Sequence, residues 1–225
     1  ASALLDHYQI DRALIPAVAP TFGHQGTLTQ VAAEALGLSS GIPVCYRSGD
    51  QPNNAFSVGA LDPGSVASTA GTSGVIYGVT DKPLYDPLSR VNTFVHVNHT
   101  MEAPRYGVLL CINGTGILNS WLRRNWSYHQ DLPYEVMNDL ATDVSIGCDG
   151  LHILPFGNGA ERMLSNKTIG ASVHGLDFNR HGSGHVSRAA QEGIVYAFAF
   201  GLNLMRDIGI VPNVILAGRA KIFLN

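Results

Sequence analysis

The sequence predicts a layered α/β domain in which helices pack on a mixed β-sheet. Three observations carry this. Residues 65–70 and 75–79 are strand-like runs on either side of Gly71-Thr72-Ser73-Gly74, which is a hairpin signature. From residue 151 onward, strand-like and helix-like segments alternate. Residues 185–208 are apolar on nearly every side, as a helix buried on more than one side would be.

Taken in order, residues 1–10 read as the tail of a helix already under way, and Pro16, Pro20 and Gly23 punctuate a loop. Thr29 can cap a short helix over 30–36, closed by Gly37. A turn at 39–41 leads to a short strand at 43–46. At Gly49-Asp50 the chain changes character. Asp50 has the side chain of an N-cap, Pro52 suits a first turn, and 54–61 is mostly apolar. The turn Asp62-Pro63-Gly64 precedes the hairpin. A strand follows at 93–97, and 107–112 reads as strand or helix entry. Ile117, Trp121 and Leu122 share one face of a helix over 117–126, and 134–140 is a further helix. Residues 151–156 are an apolar strand running into Gly157-Asn158-Gly159. Residues 169–176 are another strand, and 179–184 a polar loop. After the long helix, 211–217 is a strand that ends at Gly218. Residues 220–225 read as the first turns of a helix, so the 225-residue chain is expected to be a piece of a longer one.

Composition narrows the function. Lys and Arg number 14 against 17 Asp and Glu, a net charge of −3, and the densest basic spot is Arg123-Arg124. Phosphate neutralisation needs clustered cations, so nucleic-acid binding by bulk charge is not expected. Apolar residues make up 45%, too many for a disordered chain. Charged residues are only 14%, so some surface is expected to be covered by another domain or a second subunit, a homodimer being one form. Cys45, Cys111 and Cys148 are too few and too scattered for a disulfide framework and suit a reducing, cytoplasmic setting. The apolar run 193–205 is shorter than the ~20 residues that span a bilayer, so no membrane partner is expected.

Three segments have the residue types for chemistry. Asp50, after Gly49 and before Gln51, would sit on a sheet rim, where a carboxylate can take a proton from an attacking hydroxyl; it can equally be a helix cap. Gly71-Thr72-Ser73-Gly74 can expose amides and hydroxyls as a nest for a phosphate, or be a plain hairpin turn. No Lys follows at Walker A spacing. The turn Ala217-Gly218-Arg219-Ala220-Lys221 can face a phosphate or adenine, or serve tight strand–helix packing. His181 and His185 are four apart, but Gly182-Ser183-Gly184 argues against one helix face, and no metal site is expected.

Together these segments resemble the FGGY family of carbohydrate kinases, most of all its xylulose kinases. Gly49-Asp50-Gln51 looks like the family's Gly-Asp-Gln/Asn segment, and residues 68–74 its Ser-Leu-Gly-Thr-Ser-Gly phosphate loop. Ile112-Asn113-Gly114 through Trp121-Leu122 resembles its Gly-containing helix start. Leu154-Pro155-Phe156 with Gly159 and Glu161-Arg162 is similar to its Leu-Pro-Tyr…Gly-Glu-Arg run, with Ala160 inserted. Residues 171–176 and 185–192 follow its second signature except at Gln191. Residues 217–221 resemble its adenosine loop, with Ala217 and Arg219 in place of glycines.

The resemblance implies an actin-like ATPase (RNase H-like) domain, a mixed sheet flanked by helices. Residues 1–48 would end the sugar-binding N-terminal domain, and 49–225 would form the nucleotide-binding C-terminal domain, truncated at its end. It implies phosphoryl transfer from ATP, with Mg²⁺ held mainly by residues outside this chain, to a ketose. D-xylulose is the first expectation, with ribulose, fuculose, glycerol and sedoheptulose as alternatives. Asp50 would be the general base, with Gln51 beside it near the sugar. Gly71 and Thr72 would hold the β- and γ-phosphates, Gly114 would lie near the phosphates or ribose, and Gly218, Arg219 and Ala220 would flank adenine. These 225 residues alone are expected to be inactive. A nucleotide-binding module of the same fold without sugar chemistry is the competing expectation.

Overall fold

In the computed structural model, which describes residues 2–126 and 131–218, the chain divides into two compact units, one up to Gly49 and one from Asp50 onward. The first unit contains helix α1 (Ser2–His7), strand β1 (Phe22–Thr27), helix α2 (Gln30–Leu36) and strand β2 (Pro43–Tyr46). β1 and β2 pair antiparallel. The predicted loop ends sooner than its Pro and Gly residues suggest. β1 begins at Phe22 and includes Gly23, with a register shift between Phe22 and Gly26. α2 forms as its ends dictate: the Thr29 hydroxyl accepts the Ala32 amide at 3.3 Å, and Gly37 adopts the left-handed conformation that closes the helix.

The second unit runs α3 (Asp50–Ser57), β3 (Ser65–Ala70), β4 (Gly74–Thr80), β5 (Asn92–Val95), β6 (Tyr106–Ile112), α4 (Gly116–Asn125), α5 (Tyr134–Thr142), β7 (His152–Leu154), β8 (Ser172–His174), α6 (Ser183–Asp207) and β9 (Val214–Gly218). Five strands form a mixed sheet in the order β5-β6-β4-β3-β9; β9 is parallel to β3 and the other pairs are antiparallel. β7 and β8 form a separate antiparallel pair. The strand predicted at 169–176 is thus only three residues, and residues 107–112 are strand rather than helix entry.

Alternation along the strands sends side chains to two faces. Val66, Ile76, Val108 and Leu110 pack with Ala197, Leu204 and Met205 of α6. On the other face, Ala67, Tyr77 and Val79 pack with Ala55 of α3 and with Ala60. A further cluster joins Leu122 of α4 and Met137 of α5 to Ile153 of β7 and to Val186, Ala189 and Ala190 of α6. The long helix is buried on two sides as predicted, and a third, with Val195, Tyr196 and Phe200, is exposed. Among the described residues no helix is long and apolar enough to cross a membrane.

One buried polar chain ties the α3 face to the sheet. His96 is fully buried; its Nε2 lies 2.9 Å from the Ala60 carbonyl oxygen and its Nδ1 3.1 Å from the Tyr77 hydroxyl. A carbonyl only accepts, so Nε2 carries the proton and Nδ1 accepts from Tyr77. Burial holds the His96 imidazole below its ordinary value and pushes the Tyr77 phenol up. His96→Phe keeps a ring but leaves two buried groups without partners, at a cost of roughly 2–4 kcal/mol. The sign of the pH effect follows from the lowered His pKa. The unfolded chain takes up the proton first, so this contribution is complete above about pH 6.5 and is lost as pH falls through the folded value. Urea denaturation of the intact protein checks both parts: the variant should have a lower midpoint at neutral pH and a weaker decline below pH 6.5. An unchanged midpoint would remove His96 from this role.

Candidate active site

The register of the sheet decides which turns meet. β9 is parallel to β3, and β6 is antiparallel to β4, so β3, β6 and β9 run the same way. Thr69 pairs with Gly218 and Ile112 with Gly74. The turn after β3, the segment after β6 and the end of β9 therefore lie along one sheet edge. Open α/β sheets present ligand sites at such carboxyl ends. Gly71, Thr72, Gly114 and Gly218, far apart in sequence, come together there.

The hairpin turn is held from below. The Gly71 amide donates to the Ser73 carbonyl at 3.1 Å. The Thr72 carbonyl accepts the Ile117 amide at 3.1 Å, and the hydroxyl of fully buried Thr115 lies 3.5 Å from the same oxygen. Gly116 is pressed on Gly71, where a Cβ would overlap the Gly71 carbonyl oxygen. The turn thus rests on the N-terminus of α4, whose partial positive charge favours an anion. Thr72 itself is exposed, and among the described residues its amide and hydroxyl take no partner.

Gly114 occupies the next layer, its Cα against the Pro155 carbonyl. Asn113 is bound at three points to the segment after β7. Its amide donates to Glu161 Oε2 at 2.9 Å, its side-chain amide to the Ala160 carbonyl at 2.6 Å, and its carbonyl accepts from the Asn158 side chain at 3.2 Å. Glu161 belongs to the Glu161-Arg162 motif, whose sequence carries no signal of a role for it. Its buried contact with Asn113 is visible only in three dimensions.

Asp50 opens α3 and is exposed. Its carboxylate accepts the Gln51 amide at 2.8 Å and the Gln51 side-chain amide at 3.3 Å. An N-cap would instead bind amides two or three residues on. Gln51 is half-buried. Asp50 and Gln51 are on a different element from the glycine turns. One link between them is Val58, just past α3, whose Cγ1 would be 2.8 Å from a Cβ on Gly218. The eight residues of α3 rise ~12 Å. Arg219 and Ala220 lie outside the described residues.

The rings of His181 and His185 are 5.1 Å apart, although the helix begins only at Ser183, and His185 Nε2 lies 3.5 Å from Asp149. Among the described residues no group of three or more His, Cys, Asp or Glu is placed to hold a metal ion.

A mixed sheet flanked by helices, with glycine turns gathered at one end of its parallel strands, has the architecture of an actin-like ATPase domain. Residues 66–218 match the C-terminal domain of the FGGY family of carbohydrate kinases, and the chain belongs to that family. It is 28% identical to xylulose kinase from Haemophilus influenzae over 198 residues, covering 87% of this chain and 38% of that protein. It is 29% identical to gluconokinase from Bacillus licheniformis over 174 residues, covering 73% and 32%. Among solved structures, xylulose kinase from Rhodospirillum rubrum superposes with a TM-score of 0.80 at 26% identity, covering 99% of this chain and 44% of that one. The chain therefore spans less than half the length of each of these relatives.

Proposed function

We propose that the intact protein transfers the terminal phosphoryl group of ATP to a hydroxyl of a ketose, with D-xylulose as first choice. The observation that carries this is the exposed Thr72 amide and hydroxyl, free among the described residues, on a turn braced by the N-terminus of α4. Those donors suit an anion, and phosphoryl transfer is catalysed chiefly by positioning and by charge stabilisation. Gly71 and Thr72 would face the β- and γ-phosphates, Gly114 the phosphates or ribose, and Gly218, Arg219 and Ala220 the adenine. Residues 49–225 would then be the nucleotide-binding domain and residues 1–48 the end of the sugar-binding domain. Asp50 would orient the sugar hydroxyl and take its proton as the oxygen attacks phosphorus and the bond to ADP breaks; Gln51 would hold the Asp50 carboxylate and contact the sugar. The divalent ion would be Mg²⁺, held mainly by residues outside this chain; among the described residues no group of three or more His, Cys, Asp or Glu is placed to hold a metal ion.

The choice of sugar rests on the xylulose kinase relatives, against which the gluconokinase match weighs. A panel of xylulose, ribulose, fuculose, sedoheptulose, glycerol and gluconate with ATP and Mg²⁺ tests it by ADP release. The highest kcat/KM should fall on xylulose. Preference for gluconate would replace the substrate and keep the kinase. Nucleotide binding with no ADP release from any acceptor would favour a binding module.

A further inference from the structure

Burying a carboxylate is costly unless its lone pairs are met. Glu161 is 1% exposed, and only one of its oxygens is well served. Oε2 accepts the Asn113 amide, whereas Oε1 is buried without a hydrogen-bond partner among the described residues. Burial pushes this carboxyl above its ordinary value, with the Asn113 amide pulling the other way. The segment that carries it is itself closed. The Glu161 amide donates to the Lys167 carbonyl, and the Glu161 carbonyl accepts the amides of Leu164 and Asn166. This hydrogen-bonded segment thus holds a carboxyl acceptor against a backbone amide 48 residues away.

The bonds leading out from that amide explain the arrangement. Asn113 is followed by Gly114, locked on Pro155, then by buried Thr115 and by Ile117, whose amide holds the Thr72 carbonyl. We infer that Glu161 is a positioning residue. Through the Asn113 amide it fixes residues 113–117, and through Ile117 it sets the height and tilt of the Gly71–Thr72 turn. Its kinetic consequence rests on the nucleotide reading of that turn; its structural consequence does not.

The experiment compares Glu161→Ala, which removes the acceptor, with Glu161→Gln, which keeps one. In the intact protein, hydrogen exchange followed by mass spectrometry should speed up at least tenfold in peptides covering 110–118 and 69–75 of the alanine variant. The glutamine variant should stay within about threefold of wild type. In steady-state assays the alanine variant should raise KM for ATP at least tenfold and leave KM for the sugar unchanged, and the glutamine variant should recover most of the loss. If Glu161→Ala does not fold, Glu161→Asp, which draws the carboxylate back by one methylene, takes its place in the same measurements. Unchanged exchange at 69–75, or equal losses for ATP and sugar, overturns the inference. Wild-type protein that binds no nucleotide would end the kinase reading, while the exchange result would still decide the role of Glu161.

Discussion

Asp50→Asn in the intact protein is expected to lower kcat by roughly 10²–10⁴-fold while leaving KM for ATP within about threefold. The substitution preserves size and can still accept the Gln51 amide, so the start of α3 should keep its shape. What disappears is an acceptor for the proton of an attacking hydroxyl. Because the transition state of phosphoryl transfer is loose, the carboxylate in the proposed role would act mainly by orienting the nucleophile. The loss should therefore fall on the transfer step and not on nucleotide binding. Nucleotide titration by calorimetry, beside steady-state kinetics, separates the two. Near-normal turnover would remove Asp50 as base and leave it a residue at the start of a helix. Gln51→Ala bears on the same point: it withdraws a donor 3.3 Å from the Asp50 carboxylate and should have a smaller effect in the same direction.

The second large effect is expected at Gly114. A methyl group there would overlap the Pro155 carbonyl and meet Phe156 Cα at 3.1 Å. Both obstacles are main chain, so no side chain can swing away. Overpacking of this kind costs about 1–3 kcal/mol, and main-chain obstacles put this case toward the upper end. Relief requires moving the main chain of residues 155–156 or of residues 113–117, and the latter brace Thr72. Gly114→Ala should thus weaken ATP binding more than tenfold and lower the urea midpoint. Gly23→Ala is the control, since its added methyl would meet only ordinary contacts at 3.8 Å. Full ATP affinity in Gly114→Ala would separate this layer from the nucleotide.

The hairpin at 65–80 was legible because its turn chemistry and flanking apolar residues are local. So was α2, whose Thr29 and Gly37 ends the sequence states directly. The glycines of the three turns could be found but not assembled, because only strand register aligns Thr69 with Gly218 and Ile112 with Gly74. The start of α6 was misplaced for a different reason. Gly182-Ser183-Gly184 reads as loop by propensity, yet the helix begins at Ser183, and at Gly184 any Cβ would come within 2.6 Å of the Leu140 carbonyl. The close approach of α5, not local preference, selects that glycine. Glu161 and His96 were hidden in the same way: neither the Asn113 amide nor the Ala60 carbonyl is near them in sequence. Of the two readings of Asp50, base or helix cap, the cap is the one its geometry does not make: the carboxylate turns to its immediate neighbour instead.

The 25 residues of α6 have one further consequence. Val186, Ala189 and Ala190 belong to the cluster shared with α4, α5 and β7, whereas Ala197, Leu204 and Met205 belong to the one beneath the sheet. A single rod serves as keel to both compartments, which couples the melting of one to that of the other. That cooperativity makes the segments around β7 and β8 part of the same folding unit as the sheet rather than a detachable appendage.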